Sequence, residues 1–423
     1  MGDLLIRSGR VLDPSGSLDD IKDILIKDGK IQRVEDHIEG SFEEEIEAEG
    51  LLVCPGFVDV HVHFRDPGFT YKEDIHTGAL CAAAGGYTSV VMMANTKPSM
   101  DSKENIEEVL KRAGKEKINI YMVANVTKGM AGKELVDMEE MKAAGAAGFS
   151  DDGLPIMDKE LMKQALIKAK ELGAVISLHE EDPAYIEKSG INAGPVAEKL
   201  NYKGADRKAE IEMVKRDIDL VRETGSAIDI QHISALQSVE LVREAKKEGL
   251  KVYAEATPHH FTLTEADVLK YGSNCKMNPP VREEKDRLAI IEGLKDGTID
   301  MIATDHAPHS KEEKDRALAD APSGIIGLES AFSLALRELV EKGKMPILTL
   351  IERMSLAPSR IYGLKGGSLK EGFAADIVII DPKEEWLYDK SLSKASNSPF
   401  LGQKLKGRVK YTIVKGQIIY RNI

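Results

Sequence analysis

His61-Val62-His63 closes the apolar run Pro55-Gly-Phe-Val-Asp-Val-His-Val-His-Phe-Arg-Asp-Pro-Gly68. Side chains two apart in a strand point the same way, so an H-x-H pair at a strand end offers two imidazoles to one ion. Alone, the pair is half of a metal site, and an ordinary strand with two polar residues is the favoured reading. The ends of other short apolar runs change the balance: Asn95, Asp151-Asp152, His179, His232 and Asp305. Imidazole with carboxylate suits zinc or a similar divalent ion, and a single ion needs only three or four such donors. With an aspartate bridging through its two oxygens, the count fits two ions that share a hydroxide. Strand alternation leaves Asp151 and Asp152 both open as the bridge, because neighbours face opposite sides and the register at a strand end is not fixed.

Eight short β-branched runs must bring these residues together: Gly56 to His63, Thr88 to Ala94, Ile118 to Ala124, Gly145 to Asp151, Ala174 to His179, Ala227 to His232, Lys251 to Ala256 and Ile299 to Asp305. Between them lie stretches of helical spacing with a charged outer face, such as Lys103 to Ala113, Lys159 to Glu171, Lys208 to Glu223, Ser238 to Lys247 and Glu284 to Leu294. Eight β/α units predict an α/β fold, a distorted (β/α)8 barrel whose working residues gather where strands end. An open doubly wound sheet competes, but no G-x-G-x-x-G follows the first strand and no P-loop occurs. The two ends of the chain, Asp3 to Asp13 and Asp23 to Val34, then Ala375 to Asp381 and Val409 to Tyr420, are short strands broken by Gly turns. Such strands need partners, so residues 1–54 and 362–423 are expected to pair into a small β domain, sheet or sandwich, around a catalytic barrel at 55–361.

Composition narrows the partners. Lys+Arg 58 against Asp+Glu 71 gives a net charge of -13 over 423 residues, with no basic tract. That argues against nucleic acid and anionic membrane and for a small ligand. Three scattered cysteines, Cys54, Cys81 and Cys275, indicate neither a disulfide framework nor a thiolate zinc site, which fits a reducing cytoplasm. The start Met-Gly-Asp-Leu-Leu-Ile-Arg has no signal-peptide pattern and no run of 18 apolar residues occurs, so the chain reads as soluble and unprocessed.

Taken together, Pro55 to Gly68, Met93-Ala-Asn-Thr-Lys-Pro98, Phe149-Ser-Asp-Asp-Gly153, Met277-Asn-Pro-Pro280 and Thr304-Asp-His-Ala-Pro-His309 resemble the dihydroorotases of the amidohydrolase superfamily. H-x-H and the last-strand Asp mark the superfamily; His-Phe-Arg-Asp-Pro-Gly, Ala-Asn-Thr and Asp-His-Ala-Pro-His mark the dihydroorotase and allantoinase branch. The resemblance implies two Zn2+ per subunit, one on His61, His63 and Asp305, the other on His179 and His232, with Asp152 bridging. Many relatives bridge with a carboxylated lysine; none stands in Phe149 to Gly153, which points to the aspartate-bridged class. It further implies reversible condensation of N-carbamoyl-L-aspartate to dihydroorotate and water, a step of pyrimidine synthesis. Asp305 would act as base and then acid.

An anionic substrate calls for a cation of matching geometry, and Arg65 can fork two hydrogen bonds onto a carboxylate; pairing with Asp66 is its plainer alternative. The resemblance adds Asn95 and His309 at the carboxylate, and Asn278 with backbone near Ser323-Gly324 at the ring amide, although an Asn in Asn-Pro-Pro also suits a turn. His37 and His76 read as structural or surface residues. His259, His260 and His306 lie near the rim, where one can support a metal ligand from outside. The polar segment 310–323 reads either as a lid or as a solvated loop. Two rival functions remain. An allantoinase or dihydropyrimidinase shares the framework, but the absent bridging lysine and the presence of Arg65 with Asn95 count against it. A metal-free scaffold partnering aspartate transcarbamoylase should have lost ligands, whereas all six positions are filled. Self-association leaves no motif.

Overall fold

The computed structural model describes residues 3–422. Five strands lead in: β1 (Leu4–Asp13), β2 (Leu18–Lys27), β3 (Lys30–Glu35), β4 (Glu44–Glu47) and β5 (Leu52–Pro55). Seven more alternate with helices: β6 (Phe57–Val62), β7 (Tyr87–Met92), β8 (Asn119–Met122), β9 (Ile176–Leu178), β10 (Ala227–Ile230), β11 (Lys251–Ala256) and β12 (Met301–Ile302). Three close the chain: β13 (Ile377–Tyr388), β14 (Gln403–Val414) and β15 (Gln417–Arg421).

The chain ends build one eight-stranded sheet, in the order β15-β14-β13-β5-β1-β2-β3 with β4 paired to β1. Its period-two alternation serves two cores. Val53, Ile377 and Ile379 point into a cluster enclosed by the sheet itself with Ile6, Ile24 and Ile413. Leu52, Cys54, Val378 and Ile380 point the other way, into the main core. Lys30 bridges Ala374, so the far edge of the sheet returns to the segment that enters β13.

The middle of the chain is a closed parallel barrel. β6, β7 and β8 pair in parallel, as do β9, β10, β11 and β12. Phe149 bridges Ala124 on one side and Ile176 on the other, and Val62 bridges His306 to close the ring. β6 and β7 are buried at every residue, as expected of staves covered by helices. The fourth stave departs from the sequence expectation of a strand over 145–151. It keeps hydrogen bonds to both neighbours but forms only the Phe149 bridges, because Gly145 (φ +108) and Gly148 supply no side chains to hold a pleat. Helix starts are fixed by side chains that satisfy free N–H groups: Asp74 and Thr77 form a capping box for Ile75–Ala84, Ser102 caps Lys103–Ala113 and Asp158 caps Lys159–Glu171. Among the described residues no helix is long and apolar enough to cross a membrane, and all three cysteines are buried and free.

Candidate active site

The donors meet where the staves end. His61 Nε2 lies 3.6 Å from Asp152 Oδ1 and 3.6 Å from Asp305 Oδ1. His63 Nε2 lies 3.4 Å from Asp152 Oδ2 and 3.0 Å from Asp305 Oδ1. Opposite them, His179 Nδ1 and His232 Nε2 stand 3.6 and 3.9 Å from Asp152 Oδ1 and 3.1 Å from each other. Asp152 thus belongs to two groups of potential ligands, His61-His63-Asp152 and Asp152-His179-His232, all buried. Bonds of about 2.1 Å to one tetrahedral ion put neighbouring donors about 3.4 Å apart, which these spacings bracket. His61 Nε2 has no hydrogen-bond partner despite complete burial, an orphan aimed between two carboxylates that a cation would satisfy. The residues therefore fit divalent metal ions.

Three of the four outward nitrogens are tied down, which fixes those rings; His232 Nδ1 is buried without a partner. His61 Nδ1 meets Glu255 Oε2 at 3.1 Å, His63 Nδ1 meets Asn95 Oδ1 at 3.0 Å, and His179 Nε2 meets Glu181 Oε2 at 2.9 Å. Such outer partners orient a metal-binding imidazole and raise its basicity. Beneath them Asp59 accepts from the Thr304 N–H and hydroxyl and from the His61 N–H, stitching β6 to the stave that carries Asp305. Burial pushes the Asp59 carboxyl up to about 7 against these bonds.

The cluster is short of positive charge. Burial disfavours ionised carboxylates, yet the facing imidazoles of His61, His179 and His232 hold Asp152 well below the usual range. Asp305 is likewise depressed, burial being outweighed by the His63 hydrogen bond. His179 is raised to about 10, because Asp152 and Glu181 overcome its burial. Protons on imidazoles or divalent cations can supply the missing charge, and the two compete for the same nitrogens.

Asp151 and Asp152 take different directions. The Asp151 carboxylate accepts from the Val126 N–H at 2.9 Å and from the Thr127 N–H and hydroxyl, facing away from the histidines. Asp152 faces them. Three residues at the site are forced into the left-handed region, Arg65 (φ +57), His232 (φ +31) and Asp305 (φ +47). For non-glycine residues this costs on the order of 1–3 kcal/mol each and persists where surrounding structure dictates direction.

Above the cluster opens a cleft of about 230 Å³, smaller than a drug-sized pocket of roughly 300–1,000 Å³. Every predicted substrate residue lines it: Arg65, Asn95, Asn278, His309, Ser323 and Gly324. Arg65 is not paired with Asp66, whose carboxylate takes Arg112 at 2.6 Å. Its guanidinium instead reaches the Pro308 carbonyl (3.3 Å) and His309 Nε2 (3.4 Å). Burial, then the charges of Arg65 and Lys72, hold His309 neutral, its pKa down at about 2. Asn95 has its amide engaged on both sides, by His63 and by Asp152 Oδ2 at 2.9 Å, so it braces the metal-ligand candidates as well as lining the cleft. The Gly324 N–H donates to the Lys276 carbonyl at 2.8 Å. What Gly324 supplies is room, since at φ +119 a Cβ would sit 2.7 Å from Ala307 Cβ.

The remaining histidines stay outside the ligand groups. His260 bonds Thr257 Oγ1 and the Pro279 carbonyl, supporting the turn that carries Asn278. His259 packs on its ring, His306 faces Glu73, and His76 pairs with Glu116 at the surface. Segment 310–323 opens with a capped helix, Lys311–Lys314, whose Glu313 accepts from Tyr71 and pairs with Lys72, bracing the start of the segment. Sequence reading passed over Glu255, Glu181 and Lys72. Glu181 stands two residues after His179, the same spacing as H-x-H, and Glu255 is an acid inside an otherwise apolar strand end; both were readable signals.

A model of the Amidohydrolase family matches residues 52–419. A dihydroorotase of Clostridioides difficile (strain 630) is 54% identical over 418 residues, 99% of each chain. A dihydroorotase of Streptococcus pneumoniae serotype 4 is 50% identical over 420 residues, 99% of this chain and 100% of that one. Among solved structures, an L-hydantoinase (dihydropyrimidinase) from Arthrobacter aurescens superposes with a TM-score of 0.89 at 25% identity, covering 100% of this chain and 96% of its own. With two buried imidazole-carboxylate groups sharing one aspartate at the mouth of an eight-stave barrel, the chain belongs to the amidohydrolase family, in its dihydroorotase branch.

Proposed function

We propose that the chain is a zinc-dependent dihydroorotase that interconverts N-carbamoyl-L-aspartate and dihydroorotate. The observation that carries this reading is Asp152, shared by both ligand groups, directly below a cleft lined by Arg65 and His309. Two ions per chain would be held by His61, His63 and Asp305 and by His179 and His232, with Asp152 common to both. When bound, such ions lower the pKa of water and polarise an amide carbonyl. The chain's residues do the rest. Asp305, ionised and 3.0 Å from His63 Nε2, takes the proton of the attacking water and returns it to the leaving ring nitrogen; in the synthetic direction it runs the transfer backwards. Arg65 receives the substrate carboxylate through a bidentate fork, with neutral His309 beside it and Asn278 at the ring amide. Segments 1–54 and 362–423 form the supporting β domain and 55–361 the catalytic one. On the same reading the enzyme works in the cytoplasm, and gel filtration with and without aspartate transcarbamoylase reads its assembly with itself or with that enzyme.

The test sets dihydroorotate, hydantoin and allantoin side by side in a spectrophotometric assay of zinc-loaded protein. Turnover of dihydroorotate above the other two is expected. Turnover of hydantoin or allantoin without dihydroorotate would overturn the substrate assignment.

A further inference from the structure

Lys276 and Lys314 have no place in the chemistry above, yet they are the only buried lysines among the described residues, 4% and 5% exposed. Neither forms an ion pair there. A buried ammonium without a carboxylate is costly unless its protons are all used. Burial, then the charge of Lys276, holds the Lys314 ammonium down to about 7. Both ammoniums turn to the backbone of one segment. Lys276 Nζ donates to the carbonyls of Leu318 (2.8 Å), Ala319 (3.3 Å) and Ala321 (2.7 Å). Lys314 Nζ donates to those of Pro322 (2.9 Å) and Gly324 (3.1 Å).

The segment so gathered has no strand or helix of its own beyond Lys314, and buried carbonyls without a ladder need donors from elsewhere. It ends in the cleft wall. The Ser323 carbonyl accepts from His309 Nε2 (2.9 Å) and its hydroxyl donates to Asn278 Oδ1 (3.3 Å), and Gly324 donates its N–H to the Lys276 carbonyl. Gly190 carries a second, independent fit: at φ +93, a Cβ there would lie 2.6 Å from both Lys276 Cγ and Ser323 Oγ. Only a glycine lets the lysine stem and the wall close on each other.

We propose that Lys276 and Lys314 are positioning residues for substrate binding: their ammonium groups form an internal template on which segment 315–324 folds, setting the Asn278, Ser323 and His309 side of the cleft. The kinetic part rests on the dihydroorotase reading; the structural part does not.

The test compares zinc-loaded wild type with Lys276→Met and Lys314→Met, which keep the apolar stem and remove the donors. Ser273→Ala is a milder third variant, because the Ser273 hydroxyl donates to the Lys314 carbonyl (2.7 Å) without being buried as a charge. Amide hydrogen exchange is expected to accelerate at least about tenfold in peptides covering 315–324 while β6 and β11 stay protected, less strongly in Ser273→Ala. KM for dihydroorotate should rise about tenfold or more with kcat nearly kept and zinc content unchanged. Unchanged exchange in 315–324, equal loosening of segment and barrel in Ser273→Ala, or an unchanged KM in a folded lysine variant would overturn the proposal. If wild type turns over no dihydroorotate, the activity reading falls, and the exchange comparison still decides the template.

Discussion

Replacing Asp152 with Asn tests the centre of the site, because one charge there serves both ligand groups. Its oxygens stand 3.4 to 3.9 Å from ring nitrogens of His61, His63, His179 and His232. Removing one partner of a buried charge pair costs roughly 3–5 kcal/mol in practice, a factor of about 10²–10³·⁵ in binding. Asp152→Asn should therefore weaken retention of both ions by that factor. Asp151→Asn is the matched control: the same charge change next door, on a carboxylate occupied by Val126 and Thr127. It should keep its metal and lose about 1–3 kcal/mol of stability. The assay is metal per chain after dialysis against graded chelator, with circular dichroism to confirm folding. If Asp152→Asn keeps its ions at the wild-type chelator midpoint, or Asp151→Asn loses them equally, the shared-ligand argument fails.

Asp305→Ala should keep the fold and lose about 10²–10⁴-fold in kcat, as expected for removal of a proton shuttle; near-native rates in a zinc-loaded sample would refute that role. Arg65→Lys should raise KM with little change in kcat, since one ammonium cannot replace a two-pronged guanidinium, and steady-state kinetics with dihydroorotate reads it. His309 shapes the acid limb of stability. Its folded pKa is depressed from 6.5 to about 2 by burial and by Arg65 and Lys72. The unfolded chain therefore takes up a proton that the folded one refuses, and the His309 contribution, full above 6.5, is lost progressively as pH falls towards 2. In His309→Gln, the melting temperature should fall less steeply between about pH 6.5 and 5 than in wild type; parallel slopes would contradict it.

Much of this site was legible in the chain itself. His61 and His63, two apart at the end of a wholly buried stave, with His179, His232 and Asp305 at the ends of others, follow from strand periodicity and barrel topology, which send residues at strand ends to one rim. Short strands broken by Gly turns at both ends of the chain likewise pointed to a sheet built from both termini. The fourth stave was harder, because Gly145 and Gly148 leave a run that bonds like a strand without pleating like one. Tertiary structure alone decided what depends on residues distant in sequence. Asp152 rather than Asp151 faces the histidines because the amides of Val126 and Thr127 claim Asp151. Glu255 orients His61 across 194 residues of chain, and Lys276 organises carbonyls more than forty residues further on. Local spacing says which faces a residue can show; which partner claims each polar atom is settled only when the staves close and every buried group must be satisfied.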